Sequence, residues 1–372
     1  MSTMARTAVG ACLISLALVG SGCTGAAPTP RAEQTPPGGG DPIDTPAPTI
    51  PSPTAAVPSV TSTTQPAVVE PAEPTRRALL ISGTGDVNLD PRFVRTFPTV
   101  GYAHAWTGLG GLFAADDLTV VNLECSASNL GSAWDKPYTF RCDPEALPSM
   151  AAAGVDVANL ANNHATDYGF EAMLDARDNL IDNGIAPVGA GKNSAEAYAP
   201  ALFDINGWTV AVLGGGGVFP ETGSWIASED RPGMTNGDSI EHMTAAIRAA
   251  DEMADLVIIT IHWGEQGATT PRAFEIELAE AFIDAGADGI FGHHQHRLNP
   301  LGWYRGKPIA WGLGNFVWQA YPERARRTAI AQFRFDPDGG IAACLVPVVI
   351  EESGHPVVQT PDPSPCQREE AE

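Results

Sequence analysis

The chain has 372 residues, with 44 acidic against 21 basic side chains and a formal net charge of −23. Nucleic acid and anionic membrane surfaces both need a basic footprint, so this balance excludes them as partners. A polyanionic ligand would also be repelled unless bound metal ions or a local basic patch reverse the field near its site.

Arg6 is followed by an apolar, small-residue run from Ala8 to Val19 and then by Gly20-Ser21-Gly22-Cys23. That order predicts a lipoprotein signal over residues 1–23 ending in a lipidated Cys23, with a plain secretory signal as the alternative. The run is too short for a comfortable membrane span. Residues 24–75 are dominated by Pro, Thr, Ala and Ser. Such a stretch buries too little apolar surface to offset its ordering entropy, which predicts a disordered tether. Of the six cysteines, Cys12 leaves with the signal and Cys23 takes the lipid, so Cys125, Cys142, Cys344 and Cys366 remain. An even number in an oxidising compartment predicts two disulfides, and Cys125–Cys142 with Cys344–Cys366 is the simplest pairing.

From residue 76 to 372 the pattern becomes that of an α/β domain. Apolar runs at 78–83, 118–123, 155–160, 185–189 and 255–262 predict buried strands. Phe170, Met173, Leu174, Leu180 and Ile181 mark one helix face; Ile240, Met243, Ile247 and Ala250 mark a second; Phe274, Leu278, Ala281 and Phe282 mark a third. Asn206-Gly207 is a strong two-residue hairpin signal, and Arg305-Gly306 and Gly339-Gly340 predict two more turns. The glycines at 214–217 precede no Gly-Lys-Ser/Thr and no helix pattern, so they are read as a strand end near a site rather than a phosphate loop.

Groups with metal-binding character recur just past the predicted strands, where open α/β sheets place their sites. They are Gly85-Asp86, Asn122-Leu123-Glu124, Asn162-Asn163-His164, His262-Trp263-Gly264 and Gly292-His293-His294-Gln295-His296. An unpaired carboxylate after an apolar run is costly unless it meets a cation. Three imidazoles within four residues are hard to satisfy as core.

With Asp167-Tyr168-Gly169, Val188-Gly189-Ala190-Gly191 and Gly312-Leu313-Gly314-Asn315-Phe316, these motifs stand in the order and approximate spacing of the CapA-type poly-gamma-glutamate capsule proteins, which the chain resembles over residues 80 to about 320. That family in turn resembles the calcineurin-like metallophosphoesterases. The resemblance implies an α/β fold of the four-layer αββα sandwich type and a divalent metal cofactor, as two ions of Mn, Fe or Zn. Carried over by position, it makes Asp86 a first-metal ligand, Glu124 the bridging carboxylate and Asn163 a second-metal ligand. His262, His294 and His296 complete the set, His293 competes with His294, and His164 is the catalytic acid or charge stabiliser. Asn88 and Asn122 are further candidates for the metal or its surroundings, and Asn315 for a substrate contact; Trp263 is read as core or pocket wall, with substrate contact beside His262 as the alternative. The chain departs from the pattern at Val87-Asn88, where a metallophosphoesterase has Asp-x-His, and at Gln266, Gln295 and Trp311-Gly312.

Independently of the family, a carboxylate, amide and imidazole mixture suits Zn, Mn or Fe, and two such ions assist displacement at phosphorus. The expectation is an extracytoplasmic, lipid-anchored protein of capsular or envelope-polymer assembly with a phosphoesterase-like hydrolase site. Its expected partners are a polymer such as poly-gamma-glutamate and a membrane synthase. The alternatives are a non-catalytic accessory on the same fold and hydrolysis of an amide in the polymer itself.

Overall fold

The computed structural model describes residues 76–218, 225–319 and 323–359. Cys23, the signal segment, the tether and Cys366 lie outside the described residues.

The predicted apolar runs become the strands β1 (Leu79–Val87), β2 (Leu118–Leu123), β3 (Val157–Asn159) and β4 (Ala186–Val188), which pair in parallel. On the other side of β1 the sheet continues antiparallel through β5 (Arg327–Phe335), β6 (Ile341–Ile350) and β7 (Pro356–Val358). The short strand Asn315–Val317 pairs with the end of β1 and completes eight strands. A second sheet of six strands is built on β8 (Trp208–Gly216), β9 (Leu256–His262) and β10 (Gly289–His293), again in parallel. Hairpins turn at Asn206-Gly207 and Arg305-Gly306, where positive φ at both residues matches the tight turn each dipeptide predicts.

Strand alternation sorts the apolar side chains into three cores. Leu79, Ile81, Val120 and Val157 of the first sheet meet Val210, Val212, Ile258 and Phe291 of the second. Their neighbours one residue on face outward. Val121, Leu123 and Ala158 pack on Met173, Ala176 and Leu180 of helix α1 (Gly169–Asp182). Leu213, Val257 and Ile259 pack on Met243 and Ile247 of α2 (Ile240–Asp251) and on Leu278 and Phe282 of α3 (Ala273–Asp284). A one-residue change of face along each strand therefore builds helix, sheet, sheet and helix in order, the four-layer sandwich that the resemblance implies. Phe291 stacks on Phe333 between the sheets at 4.4 Å, and the lack of a side chain at Gly83 leaves room for the Phe291 ring.

Three residues counted on helix faces are exposed instead: Ile181, Ile240 and Phe274. Ile181 follows the buried Leu180 by about 100° of helix turn. The other two sit in opening turns. Among the described residues, no helix is long and apolar enough to cross a membrane.

Cys125 and Cys142 form the predicted disulfide, with Cα atoms 5.5 Å apart across a sequence separation of 17. Cys344 is also disulfide-bonded. The Cys125–Cys142 bridge clamps the segment that leaves β2 directly after Glu124, and both sulfurs lie near the Leu89 amide. A closed loop of that length restricts the unfolded chain by about 3 kcal/mol. Replacing Cys125 and Cys142 together by Ala is expected to lower unfolding stability by about that amount. Urea melts of the two proteins, compared at equal slope, measure it.

Candidate metal centre

Strand register gathers the polar groups at one end of both sheets. Asp86 is level with Asn122 on β2 and with Asn315 on the other side, and Asn122 is level with Asn159 on β3. In the second sheet, His262 is level with Gly216 on one side and His293 on the other. Except for Asn315, which opens its short strand, all stand at the carboxyl ends of parallel strands, where the chain turns into loops. The loops are shaped for the purpose. A side chain at Gly85 would collide with the Gly314 carbonyl, and that carbonyl accepts the Asp86 amide at 2.8 Å. His294 and His296 hold φ of 90° and 51°, a left-handed backbone that non-glycine residues adopt at a cost and that is concentrated at functional sites.

Two groups of donors result. His262 Nε2 lies 2.9 Å from Asn163 Oδ1 and 3.1 Å from His294 Nδ1. Asp86 Oδ2 lies 3.0 Å from His296 Nδ1, and among the described residues neither buried atom has a well-formed hydrogen bond. Donors about 2.1 Å from a shared ion and at right angles to it are separated by about 3.0 Å. Glu124 stands between the groups. Its Oε1 is 4.0 Å from His262 Nε2, 3.8 Å from His296 Nε2 and 3.8 Å from His164 Nε2. Both of its carboxylate oxygens are buried with no hydrogen-bond partner. Donor atoms of Asp86, Glu124 and His262 all fall within 4.8 Å of one another.

The electrostatics fit a cluster built around cations. Burial, then the charges of Asp86 and Asp167, push the Glu124 carboxyl well above its usual range. Burial drives His262 well below the ordinary imidazole value, with the neighbouring histidines adding to it, and lowers His293 and His294 to about 4. Burial also works against the Asp86 charge, but His296 and then His293 and Asn122 outweigh it and hold that carboxyl low. Neutral imidazoles and orphaned carboxylate oxygens are what a divalent ion needs as ligands. The residues present therefore fit a divalent metal.

The remaining candidates divide by position. Asn122 is a support: its Nδ2 donates to Asp86 Oδ1 at 2.9 Å and lies 3.1 Å from His262 Nδ1, while its Oδ1 accepts from Asn159 and Asn162. Asn162 caps the His164 amide, which leaves Asn163 as the amide facing His262. Of the competing histidines, His294 joins His262. His293 lies behind the site, fully buried, with Nε2 2.9 Å from Thr260 Oγ1 and Nδ1 3.9 Å from Asp86. Asn88 Oδ1 accepts the Asp90 amide at 2.9 Å, so its oxygen is engaged and its Nδ2 is left unpaired. Trp263 is corrected from substrate contact to core. Alternation turns it to the face opposite His262, where it is fully buried, stacks on Trp311 and donates to the Trp311 carbonyl at 3.1 Å. Asn315 does line the cleft above the centre.

His164 projects toward that cleft with Nδ1 2.7 Å from Asp167 Oδ2. The same carboxylate accepts the Phe140 amide at 2.6 Å and meets Lys136 Nζ at 2.5 Å. Lys136 also donates to the Asn163 carbonyl at 2.8 Å. Sequence reasoning missed Lys136, which sits in a loop without periodicity, and took Asp167 only as part of a motif.

Residues 80–320 match the family model described as bacterial capsule synthesis protein PGA_cap. The chain is 32% identical over 246 residues to the PGA biosynthesis protein CapA of Bacillus subtilis (strain 168), covering 65% of this chain and 64% of that protein. It is 33% identical over 215 residues to a probable polyglutamine synthesis accessory protein of Mycobacterium tuberculosis (strain ATCC 25618 / H37Rv), covering 55% and 56%. The matches thus span less than two thirds of these relatives' lengths. Among solved structures, the 5'-nucleotidase from Candida albicans SC5314 superposes with a TM-score of 0.43 at 11% identity, over 75% of this chain and 53% of that one.

A buried carboxylate with neither oxygen paired costs stability when no cation is bound. Glu124→Gln is therefore expected to stabilise the chelator-treated protein by about 1–2 kcal/mol while reducing the rise in Tm on adding Mn or Zn. Thermal melts with and without metal separate the two effects.

Proposed function

The chain belongs to the bacterial capsule synthesis protein family PGA_cap, and from that premise we propose that it serves assembly of a capsular or envelope polymer through a metal-dependent phosphoesterase-like site. The observation that carries this reading is Glu124, buried among Asp86, His262 and His296 with both oxygens unpaired. In this reading Asp86, Glu124 and His296 hold one divalent ion, and Glu124, Asn163, His262 and His294 hold a second. When bound, such ions supply Lewis acidity toward a phosphoryl oxygen and lower the pKa of water.

The chain's own contribution to the proton chemistry is His164. Asp167 accepts from Nδ1, so Nε2 faces the cleft as an acceptor in the neutral ring and carries a proton there only in the imidazolium form, which burial opposes and Asp167 favours. Phe140 packs on the His164 ring at 4.2 Å and Trp318 on the His296 ring at 4.8 Å, so both imidazoles are oriented by neighbours rather than by solvent. The reaction is hydrolysis: water adds at phosphorus and releases a proton to solvent, the bond to the leaving alcohol breaks, and His164 in its imidazolium form gives the Nε2 proton to the leaving oxygen and regains one from solvent. The setting is extracytoplasmic, with Cys23 as lipid anchor and a membrane synthase and a polymer such as poly-gamma-glutamate as partners.

One observation favours a second reading, a non-catalytic accessory that binds or guides polymer. Asn88 stands where the resemblance expects a ligand histidine, and its oxygen is occupied by the Asp90 amide.

The test is elemental analysis of the full-length chain purified without chelator, followed by assays on aryl phosphoesters and on polyglutamate. About two equivalents of Mn, Fe or Zn are expected, with phosphoester turnover. His296→Ala is expected to lose metal and activity together; full activity in that variant contradicts the assignment. His164→Ala is expected to keep its metal and lose about 10²–10⁴ in kcat. Absence of metal in a folded protein that regains none on incubation favours the accessory reading.

A further inference from the structure

The cleft above the centre has a volume of about 610 Å³ and is lined by His164, His294 and His296 at its base. Arg297 and Arg324 line it as well, and the same two residues line a second cleft of about 700 Å³ with Gly267, Thr269, Leu298 and the ion-paired Glu323 and Arg327. The pair therefore stands where the two clefts meet.

Among the described residues, the arginines beside this site in sequence are paired with carboxylates. Arg326 pairs with Glu351 at 3.6 Å and Arg327 with Glu323 at 2.9 Å, immediately beside Arg324. The cleft's other cation, Lys136, is taken by Asp167. Among the described residues, neither Arg297 nor Arg324 meets a carboxylate; Arg297 donates only to the His296 carbonyl at 2.6 Å, which fixes its stem next to a candidate ligand. Both residues line the same two clefts, so two positive charges share one junction. Like charges held together at a cleft junction, in a molecule of net charge −23, call for an anion from outside.

We propose that Arg297 and Arg324 form an oxyanion subsite that takes a phosphate or carboxylate group of the substrate, set apart from the group held at the metal centre. Guanidinium forks match both anions in bidentate geometry. The subsite answers the repulsion that the overall charge imposes on an anionic substrate. Assigning the bound anion to a substrate rests on the hydrolase reading above; the anion binding itself does not.

The test is calorimetric titration of the full-length chain, dialysed against chelator, with tripolyphosphate and separately with hexaglutamate. Wild type is expected to bind at least one probe, and the probe that binds distinguishes phosphate from carboxylate. Arg297→Gln/Arg324→Gln is expected to weaken that binding at least tenfold, with unchanged thermal unfolding. Arg326→Gln/Arg334→Gln removes the same charge from ion-paired arginines and is expected to bind as wild type does. Binding of neither probe by wild type, wild-type affinity in the first variant, or an equal loss in the second overturns the subsite. Metal uptake by Arg297→Gln/Arg324→Gln is measured separately and is expected to match wild type. A chain that takes up no metal defeats the hydrolase reading while leaving the titration result standing.

Discussion

Glu124 carries a carboxylate out of water and gives neither oxygen a partner. Burial pushes this carboxyl well above its usual range, so its charged form needs an opposite charge or several hydrogen bonds beside it. The surroundings supply imidazoles at 3.8 to 4.0 Å, too far for hydrogen bonds and spaced for an ion between them. Much of the molecule is arranged to keep Glu124 in this condition.

The arrangement begins in strand register. Two mixed sheets packed through Val120, Val212, Ile258 and Phe291 bring the ends of the parallel strands β1, β2 and β9 together, so that Asp86, Glu124 and His262 share one small volume. The Cys125–Cys142 bridge fixes the chain directly after Glu124. Glycine at 85 permits the close approach of the loop carrying Asn315, and the left-handed backbone at His294 and His296 aims two imidazoles from one short turn. A side-chain amide at Asn122 links the Asp86 and His262 sides. The apolar core thus positions the polar residues, and the strain and desolvation they store give a metal-dependent site its affinity.

Much of this was legible in the sequence. Apolar runs ending in Asp86, Glu124 or His262 mark strand ends because period-two burial and a polar terminus coincide there. The hairpin at Asn206-Gly207 was legible from turn chemistry. The choice between His293 and His294 was not, since it depends on which side of a strand end each imidazole falls and on a positive φ that no propensity reveals. Trp263 falls in the core, the first of its two readings, because adjacency to His262 in sequence means the opposite face in a strand. Lys136 and Arg297 lie in irregular segments and Arg324 in a single 3-10 turn, where only tertiary structure brings charge to the cleft. Ile181, Ile240 and Phe274 fit the helical pattern but lie at the edges of the faces that pattern defines.

The account depends on a cation beside Glu124. Its most direct measurement is anomalous X-ray diffraction from crystals of the protein grown with Mn, collected on both sides of the metal absorption edge. A peak within about 2.0–2.3 Å of a Glu124 oxygen and of an imidazole nitrogen from His262, His294 or His296 is predicted. No peak in that volume, with both Glu124 oxygens hydrogen-bonded to protein groups, would contradict it.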